Sequence, residues 1–171
     1  GWKKSIDKVI NYSQKALDIL STGDNEPQKI EARSSIAAAL AIQGRLEKAI
    51  EYLDEILRSQ PNHRMALHNR IIVSIFKGDF TYALELIQRL PEDYLLRSNF
   101  YAIASRVYIG ANQSEKAINL LLNLSGDEFD EPNYYVMLAW SNYQIADIEG
   151  FNKVKENLIS KSKMPDSNKH E

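Results

Sequence analysis

Apolar residues in this chain recur at helical spacing, and the spacing itself repeats. Ala49, Leu53 and Ile56 fall at i, i+4 and i+7, as do Ala83, Ile87 and Leu90, and then Ala117, Leu121 and Leu124. That spacing lays one apolar stripe along one face of a helix. The three alanines stand 34 residues apart. A constant period of this length predicts stacked helical repeats rather than one irregular bundle. Upstream of each stripe lies a second helical segment, at Ile30–Gln43, Arg64–Lys77 and Ser98–Ala111. Each copy is therefore a helix pair. Gly44, Gly78 and Asn112 stand at the turns within the pairs, and Gly and Asn tolerate the left-handed backbone a tight turn needs. A fourth copy continues the period, with Tyr135, Leu138 and Ala139 repeating Tyr101, Ala104 and Ser105. Its second helix is expected to slip. Val154 and Leu158 align with the Ala and Leu positions only after an insertion of about three residues, a departure common in terminal repeats.

No alternating strand pattern with hairpin turns is present, so the expected class is all-α. Residues 3–20 read as an amphipathic helix, with Ile6, Val9, Ile10, Leu17 and Leu20 largely on one stripe. A Gly/Asn/Pro-bearing loop follows, and Asn25 or Glu26 ahead of Pro27 signals the next helix start. Asn112 with Glu115 has capping-box spacing, and Glu131 before Pro132 marks another start.

These positions resemble the tetratricopeptide repeat (TPR) family over roughly residues 30–160. In that family small residues at the eighth and twentieth positions let paired helices approach closely. Here the twentieth is Ala in three copies, and the eighth reads Ala37, Ile71, Ser105 and Ala139; Pro61 closes the first copy at the family's usual place. The resemblance implies a right-handed α-solenoid of about four helix pairs, at 30–63, 64–97, 98–131 and 132–160. An N-terminal helix at 1–22 would cap the first pair after a linker at 23–29, and 161–171 would be a disordered tail. The second copy departs from the family pattern. Arg70 replaces a Leu, Ile71 fills a small-residue site and Ser74 replaces an aromatic. Either this helix is rotated, or Arg70 runs its stem along apolar surface to reach water.

In the family, the first helices of the repeats line a concave groove. Carrying its inward positions across gives Glu31, Ser34, Ala38, Ala41 and Ile42 in the first copy, and Met65, His68, Ile72, Ile75 and Phe76 in the second. The third offers Asn99, Ala102, Arg106, Ile109 and Gly110, and the fourth Asn133, Val136, Trp140, Tyr143 and Gln144. The expected partner-binding residues among these are Ala38, Ile42, Met65, His68, Ile72, Ile75, Phe76, Asn99, Arg106, Ile109 and Trp140. The Lys/Asn/Arg clamp by which some family members hold a peptide C-terminus is missing. Ser34, Ala38, Asn99 and Ile103 stand in its place. Such a surface suits an amphipathic helix or an extended apolar peptide.

Candidate chemistry changes this picture little. With no cysteine, thiolate nucleophiles, disulfides and Cys-ligated zinc are excluded. His63 and His68 lack the i, i+4 spacing that places two metal ligands on one helix face, and His170 lies in the expected tail. The acidic run 126–133 lacks the ligand spacing and central Gly of an EF-hand loop and reads as an exposed loop that could attract a basic partner. There is no phosphate-binding loop and no G-x-S-x-G elbow, so neither an enzyme nor a cofactor is expected. Residues 30–151 carry 11 Lys or Arg against 16 Asp or Glu, which argues against nucleic acid, since phosphates must be neutralised. No apolar run reaches the length of a membrane span. The opening Trp2-Lys3-Lys4 reads as an ordinary helix start or as the flank of a membrane anchor. On that basis an extracytoplasmic or membrane-associated setting is weighed ahead of a cytoplasmic one. The leading expectation is a scaffold that recruits a protein or peptide, with a self-association module (a homodimer) or a regulatory domain of a larger enzyme as alternatives.

Overall fold

The structure, a computed structural model, describes residues 2–21, 23, 25–96, 100–124 and 131–162. Every regular element among them is a helix. In chain order these are α1 (Trp2–Leu20), α2 (Glu26–Ile42), α3 (Leu46–Ser59), α4 (Arg64–Lys77), α5 (Phe80–Ile87), α6 (Glu92–Leu95), α7 (Tyr101–Gly110), α8 (Ser114–Leu122), α9 (Glu131–Gln144) and α10 (Ile148–Ser162). The chain forms two compact units, 1–90 and 91–171.

The turns show why the period holds. Gly44 and Gly78 take φ of 75°, Asn112 takes 57° and Ala146 takes 56°. Each turn closes with the same pair of hydrogen bonds. At Gly78 its own N–H donates to the Ile75 carbonyl (3.0 Å), and the Asp79 N–H donates to that of Ser74 (2.9 Å). At Ala146 the matching bonds run to Tyr143 (3.1 Å) and from Asp147 to Asn142 (2.9 Å). This is a Schellman motif, which needs a left-handed residue just past the helix end. Gly supplies it without strain, Asn at small cost, and Ala at a cost of about 1–2 kcal/mol.

The fourth copy therefore keeps the register, and the expected insertion of about three residues does not occur. The second helices begin at Leu46, Phe80, Ser114 and Ile148, one period apart each time. Phe151 stands at the Ala position, half-buried, and the inner stripe of α10 is Phe151, Val154 and Leu158. Lys155 occupies the position where earlier copies have a large aliphatic, so Val154, one residue earlier, turns inward instead.

Other boundaries differ for local reasons. Helix α2 begins at Glu26, at the start that Asn25 and Glu26 ahead of Pro27 signal, so residues 26–29 of the expected linker are helical. Pro is preorganised for that position and loses no needed hydrogen bond there. The expected cap at Asn112 is absent, because Asn112 is spent on the left-handed turn and Gln113 precedes α8 without a side-chain cap. His63 Nδ1 instead caps α4 by accepting from the Ala66 N–H (3.2 Å). Asp79 caps α5 through the Tyr82 N–H (3.1 Å). Helix α5 stops at Ile87, well before the period would end it, and Pro91 then precedes the single turn of α6. Proline disfavours helical backbone at the residue before it, here Leu90. Residues 163–171 and the acidic stretch 125–130 lie outside the described residues.

In the first unit, α2 packs against α1, α3 and α4. Its alanines make this possible. Ala32, Ala37 and Ala39 are buried between Ile30, Ile36 and Leu40, so neighbours approach α2 from several sides. Leu53, Ile56, Leu67 and Ile71 are fully buried beside them, each contributing about 1.5–3 kcal/mol relative to an exposed side chain. Helix α1 buries Ile6, Ile10, Ala16, Leu17 and Leu20 in part, whereas Val9, expected on that stripe, is exposed. The second unit centres on Tyr101, Leu121, Leu138 and Val154. Tyr94 of α6 meets Phe100 edge-on with ring centroids 5.2 Å apart.

Candidate functional site

Two of the α4 residues that depart from the repeat pattern, Arg70 and Ser74, form one buried polar cluster. Arg70 Nε donates to Asp54 Oδ1 on α3 (3.0 Å), and its Nη1 donates to Ser74 Oγ one turn on (2.8 Å). Its guanidinium also lies 4.7 Å from the centre of the Tyr82 ring on α5. The Arg70 side chain is 10% exposed and that of Asp54 40%. Arg70 thus replaces a packed Leu by reaching along the helix surface to a half-exposed carboxylate. Ser74 is small because the guanidinium needs the space an aromatic would fill. Helix α4 is not turned over by these changes, since Leu67, Ile71, Ser74 and Ile75 face inward. Its opposite side is left outward. Lys77 at its end pairs with Glu47 (3.3 Å), which ties α4 to α3. Glu47 lies below the usual carboxylate range, first through a hydrogen bond from its own backbone N–H and then through Lys77.

That outward side carries Met65, His68, Ile72 and Phe76. Met65 and Phe76 are exposed at 54% and 58%, and His68 and Ile72 are half-buried. Helix α2 lies alongside. It exposes Ala38 and Ile42, the latter at 61%, at the positions one period before Ile72 and Phe76. Glu31, Ser34, Ser35 and Ala38 of α2 and Met65 and Asn69 of α4 line one shallow cavity of about 460 Å³. The two helices therefore share an exposed face on which Ile42, Met65 and Phe76 stand out beside a mixed cavity whose one carboxylate is Glu31. Ser34 Oγ is buried there without a hydrogen-bond partner. Burial holds His68 below its ordinary pKa, favouring the neutral ring on this face.

Not every residue expected on the face lies on it. Ile75 and Ile109 are buried in their units. On α4, Ile75 is about 80° round the helix from Met65, which turns it under toward the core. Asn99 lies outside the described residues, and for Asn133 only the helical backbone is described. In the second unit α7 and α9 pack side by side. They expose Arg106 on the first and Val136, Trp140 and Tyr143 on the second, the last three at i, i+4 and i+7. Sequence reasoning missed the part of α1 next to this face. Tyr12 and Ile19 are exposed and line a cleft with Gln28, Glu31 and Ser35 of α2. Their spacing of seven, off the buried stripe, was the available signal.

Among the described residues no group of three or more His, Cys, Asp or Glu could hold a metal ion. No helix among them is long and apolar enough to cross a membrane. Tyr134 and Tyr135 stand edge-on with centroids 5.1 Å apart, and partial burial raises the Tyr134 pKa.

No family model matches the chain, and no curated protein matches it. Solved structures do. A MamA RS-1 double mutant superposes with a TM-score of 0.66 at 23% identity, covering 96% of this chain and 99% of that one. MamA from Desulfovibrio magneticus RS-1, in a form running from position 41 to its end, superposes with a TM-score of 0.64 at the same identity and coverage. MamA contains TPR repeats, so the likeness shows that this chain has the all-α, TPR-like fold expected from its period.

Proposed function

We propose that this chain is a non-enzymatic scaffold that captures a partner protein by seating one of its helices or peptides on the outward face of α2 and α4. The observation that carries this reading is the exposure of Ile42, Met65 and Phe76 together on two adjacent helices. Isolated exposed apolar side chains are ordinary, but a contiguous set on one face marks an interaction surface. The face also suits the geometry of helix-in-groove recognition, in which anchors at helical spacing enter an apolar trough. The similarity to MamA, a TPR-containing protein, supports the scaffold class and names no partner. In the second unit, Trp140 with Arg106 nearby on α7 offers a separate surface rich in the residue types that dominate binding energy.

The test is Phe76→Ala. Phe76 is mostly in water already, so the melting temperature should scarcely move. Capture of a partner from the native host should weaken by at least about 1 kcal/mol, the ordinary threshold for an interface anchor. An unchanged partner yield with an intact fold removes Phe76, and with it this face, from the proposal.

A further inference from the structure

The outer side of α1 carries a cationic stripe whose lysines form no ion pair among the described residues. Lys4, Lys8 and Lys15 are exposed and fall within an arc of about 40° on the helix. The two carboxylates of α1 flank the stripe on the side away from Tyr12 and Ile19 and hydrogen-bond to neutral amides. Asp7 accepts from Gln43 Nε2 (2.7 Å), and Asp18 accepts from Gln14 Nε2 (3.2 Å). Continuing round the helix past Lys8 come Ile19 and Tyr12, both exposed. These two form one wall of a cleft of about 510 Å³ between α1 and α2. The cleft's lining is mixed, with Ala16, Leu20 and Ala32 beside Ser13, Gln28 and Ser35, and its one charged lining residue is Glu31 on α2. Glu31 and Ser35 also line the cavity between α2 and α4, so the two depressions adjoin.

We infer that this cleft binds an acidic amphipathic helix of another protein. The apolar side of that helix would enter between Tyr12, Ile19 and α2, and its Asp and Glu side chains would lie along the lysine stripe. Charge complementarity fixes the partner's chemistry and its rotation, because acidic groups on the opposite flank would meet Glu31. A bilayer surface fits less well. An anionic leaflet laid along the lysines would also confront Glu31 across the cleft. The inference rests on the scaffold reading and adds to it the partner's charge and a second point of attachment.

A synthetic amphipathic helix of about 18 residues, or five turns, with Leu on one face and Glu along one flank, is the probe. Its partner control carries Lys in place of Glu, and phosphatidylserine-rich vesicles test the membrane. Fluorescence anisotropy should show the acidic peptide binding the full chain, and binding should weaken as salt screens exposed charge. The triple variant Lys4→Glu, Lys8→Glu, Lys15→Glu should lose about tenfold in affinity, since each exposed pair is worth a few-fold at most. If charge reversal disturbs the fold, Lys→Gln at the same three positions gives a milder loss in the same direction. Phe76→Ala should leave this peptide's affinity unchanged, so failure here is separable from failure of the α2–α4 face. Equal binding of acidic and basic peptides, or an indifferent lysine variant, overturns the inference. So does a result in which the vesicles need the lysines and the peptide does not bind.

Discussion

Replacing Asp54 by Ala should strand a buried charge, and the structure bounds the cost. Arg70 would keep Ser74 Oγ and the Tyr82 ring but lose its only anionic partner among the described residues. Removing one member of a fully buried ion pair costs about 3–5 kcal/mol. An exposed pair is worth about 0.2–1 kcal/mol. Here the guanidinium side chain is 10% exposed and the carboxylate side chain 40%, so the expected loss lies between these limits, at about 1–2 kcal/mol. Adding Arg70→Leu should recover much of it, because the stranded charge is gone and an apolar side chain fills the site. Urea denaturation followed by far-UV circular dichroism measures all four members of the cycle. The sign of the coupling is the discriminating quantity. If the double variant is as unstable as the two single losses summed, or if Asp54→Ala moves the urea midpoint no more than an ordinary surface substitution, the cluster does not hold α4 in place and the account of Arg70 is wrong.

Ala83 is fully buried where α5 packs on α4, so Ala83→Leu should cost about 1–3 kcal/mol by overpacking. Exposed Glu85→Leu on the same helix should be close to silent, and equal melting temperatures for the two would contradict the packing. A Cβ at Gly78 meets nothing within 4 Å, so Gly78→Ala should cost only the backbone term of about 1–2 kcal/mol, measured by the same denaturation; a larger loss would point to a contact not seen here. Burial holds His68 below its ordinary value of 6.5, so the unfolded chain binds more protons as pH falls below that value. Stability present above about pH 6.5 should therefore decline as pH drops through the folded-state value. His68→Gln should remove that component, and an unchanged pH profile would show that His68 does not supply it.

Much of the architecture was legible because it rests on local chemistry repeated at constant spacing. A Schellman turn needs a residue tolerant of positive φ, and Gly44, Gly78 and Asn112 announce it. Ala146 takes the same backbone without any such signal, and Lys155 at the aliphatic position makes Val154 and Leu158 look shifted by an insertion that the turn does not contain. There the helix stop and the period outweigh a residue preference of about 1–2 kcal/mol. The outward residues of α2 and α4 were also legible in outline, since a helix periodicity and one family phase place Ile42, Met65 and Phe76 together. Ile75 and Ile109 were not, because positions at the edge of an arc can turn either way.

What the sequence alone determined, then, is the period, the turns and the stripe of each helix, all set by interactions within a few residues. What only the tertiary structure decided is where side chains of different helices meet. Arg70 was an anomaly in one dimension, and its partners Asp54 and Tyr82 come from two other helices. The lysines of α1 look like ordinary solvated charge until the fold shows that no carboxylate among the described residues pairs with them and that a cleft opens beside them. Hydrogen bonds and ion pairs act over a few ångströms, and residue number does not encode which distant segments come that close.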